Sequence, residues 1–167
     1  LEVAKPGVSE VGLASIIVKE MVAGGGIPRF IVVTSGERAS LVDAYATAKK
    51  IEPGDLVRFD IACSFQGYWS DMARTAVVGK PTGLQQDRYD ALLAGMEAEI
   101  DAVKPGVPVS GIFDAAVKAV RSGALPNFTR HHCGHGVGCL GHEAPTIGPQ
   151  DQSPLEAGMT LCMETPY

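Results

Sequence analysis

Nothing in this sequence is built to cross a membrane: no apolar run approaches the roughly 18 residues that a spanning helix needs. No cationic-then-apolar leader opens the chain either. Basic residues are in the minority, 14 Lys and Arg against 19 Asp and Glu, for a net charge of −5. That balance argues against a nucleic-acid partner, which calls for a basic face, and leaves cations and small substrates open. Cysteines are few, at 63, 133, 139 and 162, and no two stand as C-x-x-C, against a zinc ribbon or a thioredoxin-like motif. They read as reduced, mostly buried thiols of a cytoplasmic protein. The chain opens at Leu1 without a Met and stops at Tyr167 inside an apolar, strand-like segment, so it reads as a fragment. There is no linker and no low-complexity segment.

What remains is one domain's worth of chain: 167 residues, 46% hydrophobic and 20% charged, enough to bury a core. An internal repeat organises it. AKPGVSEVGLASIIVK (4–19) aligns with VKPGVPVSGIFDAAVK (103–118) at an offset of 99, identical at seven of sixteen positions. The period is too long for a solenoid and points to two similar halves. Each copy is a K-P-G turn feeding an amphipathic helix. In the second copy Val109, Ile112, Phe113, Ala116, Val117 and Val120 share one helical face. The first copy is apolar around more of its circumference, which predicts deeper burial.

Between the copies, FIVVTSG (30–36) reads as a short strand. GDLVRFDIACSF (54–65) and GYWSDMARTAVVG (67–79) read as two strands joined near Gln66-Gly67. Leu84 to Val103 reads as a helix with Tyr89, Leu92, Leu93, Met96, Ile100 and Val103 on its packed face. Asp87, Asp90, Glu97 and Asp101 lie on its solvated face. EAGMTLCMETPY (156–167) reads as a final strand. Helices and strand pairs recur in similar order in both halves, which predicts an α+β fold.

The repeat carries into the polar residues. GDLVRFD (54–60) and GMTLCME (158–164) both run from Gly to a carboxylate, so Asp60 corresponds to Glu164. Each carboxylate sits in an apolar strand, where an uncompensated charge is costly. A hairpin brings Asp71 beside Asp60, and two carboxylates held that close repel unless a cation lies between them. All four histidines fall in RHHCGHGVGCLGHE (130–143), a Gly-rich, Pro-flanked loop. His135 lies between glycines that permit close approach of backbone and ligand. Asp60, Asp71, His135 and Glu164 together are mostly oxygen with one imidazole, suited to Mn²⁺, Fe²⁺, Co²⁺ or Zn²⁺. Carboxylates can also bridge two such ions.

These motifs resemble the pita-bread metallopeptidases, the family of methionine aminopeptidase, aminopeptidase P and prolidase. The resemblance rests on D60-x₁₀-D71 with Y-W-S-D-M-A-R-T, on H131-H-C-G-H135-G-V-G followed by H142-E143, and on G158-M…E164-T-P, all in family order. It covers most of the chain and is closer to the Xaa-Pro peptidases. It implies a pita-bread fold with two pseudo-symmetric halves, truncated at the C-terminus and at the N-terminus, and one incomplete catalytic domain over 1–167. It implies Asp60, Asp71, His135 and Glu164 as ligands of two divalent metal ions, Mn²⁺ foremost, with Co²⁺, Fe²⁺ or Zn²⁺ as alternatives. His142 becomes the catalytic histidine and His131 a substrate-contacting one. The implied reaction is hydrolysis of a peptide bond near a free amino terminus by a metal-bridging hydroxide, as in an aminopeptidase or Xaa-Pro dipeptidase. The resemblance also leaves room for a homodimer.

Two departures qualify the match. The family's fifth ligand, a Glu, falls beyond Tyr167, and low activity of 1–167 alone is expected. Asp43 stands where family peptidases often carry a substrate-binding His. A creatinase-like hydrolase of a small C–N compound and a non-catalytic binding domain are the alternatives. GVGCLG (136–141) fits G-x-G-x-x-G but has no strand before and no helix after, so it is no dinucleotide loop. A Cys133/Cys139 zinc site would leave the carboxylates without a purpose. Arg74 reads as an orienting partner for a carboxylate. Tyr68 and Trp69 read as packing near the site, Cys162 as a small thiol on the Glu164 face, and His132 as structural or exposed.

Overall fold

A computed structural model of the chain describes residues 3–166. Its backbone divides into two compact units, 1–81 and 82–167, and each repeats the other's local plan. In the first, Gly7 turns with φ 88°, and its N–H donates to the Ile51 carbonyl at 2.9 Å. In the second, Gly106 turns with the same φ, and its N–H donates to the Leu155 carbonyl at 2.8 Å. The return bonds match as well: Ile51 N–H to Val8 O and Leu155 N–H to Val107 O are both 2.9 Å. The K-P-G-V identity is thus a turn that docks each helix start onto a returning extended segment through an isolated β-bridge, with Gly supplying the left-handed φ.

The first unit holds α1 (Glu10–Ala23), β1 (Ile27–Ser35), a 3-10 turn (Gly36–Ser40), β2 (Leu56–Phe65), β3 (Tyr68–Trp69) and β4 (Met72–Val77). Ser9 caps α1 by accepting from the Gly12 N–H at 3.1 Å. β2 is central, antiparallel to β1 on one side and to β3 and β4 on the other. Gln66 (φ 51°) and Gly67 (φ 90°) make the two-residue turn that the sequence places there. Leu13, Val33, Ile51, Val57, Phe59 and Val78 form the core beneath α1.

Two expectations about this unit are corrected. The strand over 30–36 begins earlier, at Ile27. α1 is not deeply buried: only Glu10 and Leu13 are, while Val11, Ile16 and Val22 are exposed. Of its circumference, only the side carrying Glu10 and Leu13 is buried.

The second unit holds α2 (Gly83–Ala102), α3 (Val109–Ser122), β5 (Gly134–Gly136), β6 (Glu143–Thr146) and β7 (Leu161–Met163). The six apolar residues read onto the α3 face are all buried and form the centre of the core. Each such aliphatic contributes roughly 1.5–3 kcal/mol on burial. α2 starts at a capping box between Thr82 and Gln85.

The packed face of α2 differs from expectation. Ala91, Gly95 and Glu99 are buried, whereas Tyr89 and Ile100 are exposed. A Cβ on Gly95 would come within 2.2 Å of Val120 Cγ2, and one on Gly123 within 2.8 Å of Ala91 Cβ. Small residues set the approach of α2 to α3; of the expected face Leu92 and Val103 do pack against the core, while Tyr89 and Ile100 are left outside. The histidine segment is not simply a loop: β5 is the middle of a three-stranded antiparallel sheet, β6-β5-β7. The final strand is shorter than expected, and Tyr167 lies outside the described residues. The four cysteines form no disulfide with one another, and of them only Cys133 is buried, with Cys139 exposed.

Candidate functional site

Polar residues gather on one face of each sheet, the face turned away from its helices. In the first half, Val57 and Phe59 point into the core, so alternation along β2 puts Arg58 and Asp60 on the opposite face. Asp60 pairs with Ala73 of β4; the ladder lapses at Ser70 and Asp71, which lie between β3 and β4, and resumes in the same register at Ser64–Trp69. Asp71 therefore falls opposite Ala62, diagonal to Asp60 on the same face, a separation of roughly 7–8 Å between Cα atoms. The juxtaposition expected of Asp60 and Asp71 is realised by that register. Both carboxylates are partly buried.

The charge partner of Asp60 is Arg58, whose Nη2 donates to Oδ2 at 2.9 Å. Arg74, read from the sequence as the orienting residue, lies on the other face. Its Nη1 donates to the Ala73 carbonyl at 2.7 Å, and it lines an apolar cavity of about 190 Å³ with Leu13, Ile17 and Phe59. The reason is parity: Arg74 pairs with Phe59, a core residue, so it shares the core-side face. Tyr68 is exposed rather than packed, whereas Trp69 is partly covered by the Arg29 guanidinium, 5.2 Å from its ring centre.

In the second half, β5 places His135 directly opposite Cys162 of β7. Leu161 and Met163 pack on the core, so Cys162 and Glu164 share the His135 face, as expected from the sequence. Glycines make this possible. A Cβ on Gly134 would meet the Cys162 carbonyl oxygen at 2.2 Å, and one on Gly136 the Ala144 oxygen at 2.3 Å. His135 is 4% exposed, and its Nδ1 lies 2.9 Å from the Gly136 carbonyl oxygen. A carbonyl oxygen only accepts, so Nδ1 carries the proton of that bond and Nε2 is the ring nitrogen that could serve as a ligand. His142, exposed, stacks on His135 with ring centres 3.8 Å apart. The loop before it is pinned by Glu143, whose Oε1 accepts from the Leu140 N–H at 2.6 Å. His131, also exposed, meets His132 edge-on at 4.6 Å.

His132 is closer to the chemistry than its sequence suggested. Its Nδ1 accepts from the Gly134 N–H at 3.3 Å and lies 3.4 Å from Glu164 Oε1. Burial first, then the positive neighbours His131 and Arg130, lower its pKa to about 4. The ring is therefore neutral at pH 7. The Nδ1 lone pair is taken up by the Gly134 N–H, with the Glu164 carboxylate oxygen beside it.

Glu99 of α2 is fully buried, and neither carboxylate oxygen has a hydrogen-bond partner among the described residues. Burial, and then the charge of Glu164, push its pKa up to about 9, so it is neutral at pH 7. Cys133 is likewise pushed up to about 12, chiefly by burial, and is an inert thiol. Sequence reasoning missed Arg58 and Glu99. The first had a signal, a cation two residues from Asp60 in a strand. The second had none, being one acidic residue among many on α2.

The model of metallopeptidase family M24 matches residues 1–167. The Xaa-Pro dipeptidase of Pyrococcus furiosus is 34% identical over 133 residues, 80% of this chain and 38% of that protein. Among solved structures, dipeptidase PepE from Mycobacterium ulcerans superposes with a TM-score of 0.89 at 34% identity, covering 93% of this chain and 43% of that one. Prolidase from Pyrococcus furiosus superposes with a TM-score of 0.90 at 31% identity, covering 96% of this chain and 48% of that one. The chain thus spans less than half the length of these relatives.

Proposed function

Because the chain belongs to metallopeptidase family M24 and has the α+β pita-bread fold of the Xaa-Pro peptidases, we propose that it is the metal-binding part of a dinuclear hydrolase of Xaa-Pro dipeptidase type. The proposed ligands are Asp60, Asp71, His135 and Glu164, with Mn²⁺ the first candidate and Co²⁺, Fe²⁺ or Zn²⁺ as alternatives. The observation that carries this reading is His135: a buried imidazole whose Nδ1 proton is committed to the Gly136 carbonyl, which makes Nε2 its ligand nitrogen. Three carboxylates and one such nitrogen fit a hard or borderline divalent ion.

Bound there, divalent ions supply a water made nucleophilic at neutral pH and a Lewis acid for the scissile carbonyl. The residues of the chain supply the rest. Asp60 and Asp71 present their carboxylates on one face of the sheet. His142, braced against His135 and reached through the loop that Glu143 pins, offers an imidazole edge to the oxygen that gains charge during attack. His131, exposed, contacts the substrate. Peptide substrates with proline after the scissile bond are the proposed class.

The test is metal analysis and turnover of the full-length protein. About two divalent ions per chain, and hydrolysis of Xaa-Pro dipeptides in preference to other dipeptides, are expected. Asp71→Asn should lower kcat by at least about a thousandfold while leaving the circular dichroism spectrum intact. Full turnover in that variant overturns the ligand assignment. Turnover of a small C–N compound by a metal-free protein supports a creatinase-like reaction instead.

A further inference from the structure

Arg58 has no part in the reaction just proposed, yet it is the cation nearest to one of its ligands. It stands two residues before Asp60 on the same face of β2, with Thr34 opposite it in the register. Its guanidinium makes two bonds in different directions. Nη2 donates to Asp60 Oδ2 at 2.9 Å, and Nη1 donates to the Leu41 carbonyl at 3.1 Å. Leu41 follows the 3-10 turn and opens an exposed stretch in which Val42 is 70% and Tyr45 87% exposed, with Asp43 at φ 57°. A second arginine holds the far end of that stretch, Arg38 Nη2 donating to the Tyr45 carbonyl at 2.8 Å.

The chemistry of arginine makes this more than a surface pair. The guanidinium is planar, keeps its charge at any working pH, and holds its donors in a fixed fork. A lysine in the same place could satisfy Asp60 or Leu41 but could not span both from a single ammonium group. With Nη2 on Oδ2, the oxygen that Asp60 keeps for another cation is chiefly Oδ1. The same positive charge opposes the arrival of a second one.

We propose that Arg58 is a positioning residue that orients Asp60 toward a divalent ion through Oδ1, restrains its affinity for that ion, and ties this ligand to the loop 41–45. The inference rests on the reading of Asp60 as a metal ligand. The loop carries the side chains, Leu41, Val42, Asp43 and Tyr45, that a substrate would meet on the Asp60 side of the sheet. Arg58 thereby links ligand geometry to substrate selection, with no contact of its own to the reacting atoms.

The experiment uses the full-length protein, metal-stripped, as wild type, Arg58→Met, Arg58→Lys and Asp60→Asn. Each is titrated with Co²⁺ by calorimetry and by visible absorption, and digested briefly with chymotrypsin. Arg58→Met is expected to bind Co²⁺ at least tenfold more tightly, with an altered ligand-field spectrum because both Asp60 oxygens are released. Cleavage after Tyr45 is expected to accelerate at least fivefold. Arg58→Lys is expected to keep the wild-type affinity within threefold yet to show the fast cleavage. If Arg58→Met does not fold, Arg58→Gln replaces it with the same expectations. Unchanged affinity and spectrum in the neutral variant, with wild type binding Co²⁺ and Asp60→Asn not, overturn the role of Arg58 alone. Wild type binding Co²⁺ no better than Asp60→Asn overturns the ligand reading and this inference with it.

Discussion

Thr34 and His135 hold the same place in the two halves: Thr34 faces Arg58, His135 faces Cys162, and each of those partners lies two residues before the acidic residue of its strand. Asp60 follows in the first half and Glu164 in the second. The duplicated framework thus carries unlike chemistry. One half presents an imidazole opposite a thiol, and the other a hydroxyl opposite a guanidinium. Thr34 Oγ1 is buried without a hydrogen-bond partner among the described residues. An unsatisfied buried hydroxyl costs stability, and valine has nearly its shape. Thr34→Val should therefore raise stability by about 1 kcal/mol, read as a higher urea midpoint at unchanged slope. A loss of stability would mean that the hydroxyl has found a partner.

Glu10 is the opposite case, a buried carboxylate that is fully served. Its Oε1 accepts from the Ser35 N–H at 2.8 Å and the Ser35 hydroxyl at 3.0 Å, and its Oε2 from the Thr47 N–H at 2.9 Å and the Thr47 hydroxyl at 2.8 Å. Arg38 Nε adds a contact at 3.2 Å. The network fastens the first turn of α1 to the end of β1 and to the loop beyond it. Glu10→Ala strands these donors in the interior and should cost about 3–5 kcal/mol. Burial raises the Glu10 pKa, but the bonds from Thr47 and Ser35 outweigh it and hold the group below its ordinary value. Its stabilisation is present above the unfolded-state value, near 4.5, and is lost as pH falls through the folded-state value. Acid titration of the two proteins should show that loss in the wild type and not in the variant.

The sequence already contained the placing of Asp60 and Asp71 on one face, since counting outward from a two-residue turn at Gln66-Gly67 fixes which residues share a face. It also contained the α3 stripe, because large apolar residues recur there at helical spacing on one side only. The α2 face was not legible in the same way. Its contact is decided by Ala91 and Gly95, residues too small to register in a hydrophobic pattern, and Tyr89 and Ile100 outweigh them in the sequence while lying outside. The strand that carries His135 was hidden for a related reason. It is three residues long, two of them glycine, and its glycines answer to the neighbouring carbonyls of Cys162 and Ala144 rather than to local propensity.

The close approach at Gly95 can be tested directly. Alanine is favoured over glycine in a helix interior by about 1 kcal/mol, so Gly95→Ala would stabilise an isolated α2. In the folded protein the new methyl meets Val120 Cγ2 at 2.2 Å and the Ala116 carbonyl oxygen at 3.2 Å. The valine can turn, but the backbone of α3 cannot yield without opening the core. Overpacking of this kind costs about 1–3 kcal/mol. Gly95→Ala should accordingly lower the thermal midpoint, and the control Ala94→Gly, at an exposed position of the same helix, should lower it by the propensity term alone.

Glu99 gives stability a pH dependence of the reverse sign to that of Glu10. Buried and neutral in the folded chain, it ionises only near pH 9, whereas in the unfolded chain it ionises near its ordinary value of 4.5. Below that lower value both states are protonated and the burial carries no ionisation penalty. Between the two values the unfolded chain has released a proton that the folded chain retains. Folding therefore weakens as pH rises, with a limiting slope of about 1.4 kcal/mol per pH unit. Glutamine cannot ionise and keeps nearly the same shape. Glu99→Gln should match the wild type at pH 4 and exceed it by about 5 kcal/mol at pH 8, read from urea unfolding of the metal-free proteins. Parallel pH profiles would show that the Glu99 carboxylate is already charged in the fold. Divalent ions bound beside Glu164 would ease the ionisation of Glu99, so saturating Mn²⁺ should narrow the gap between the two proteins at pH 8.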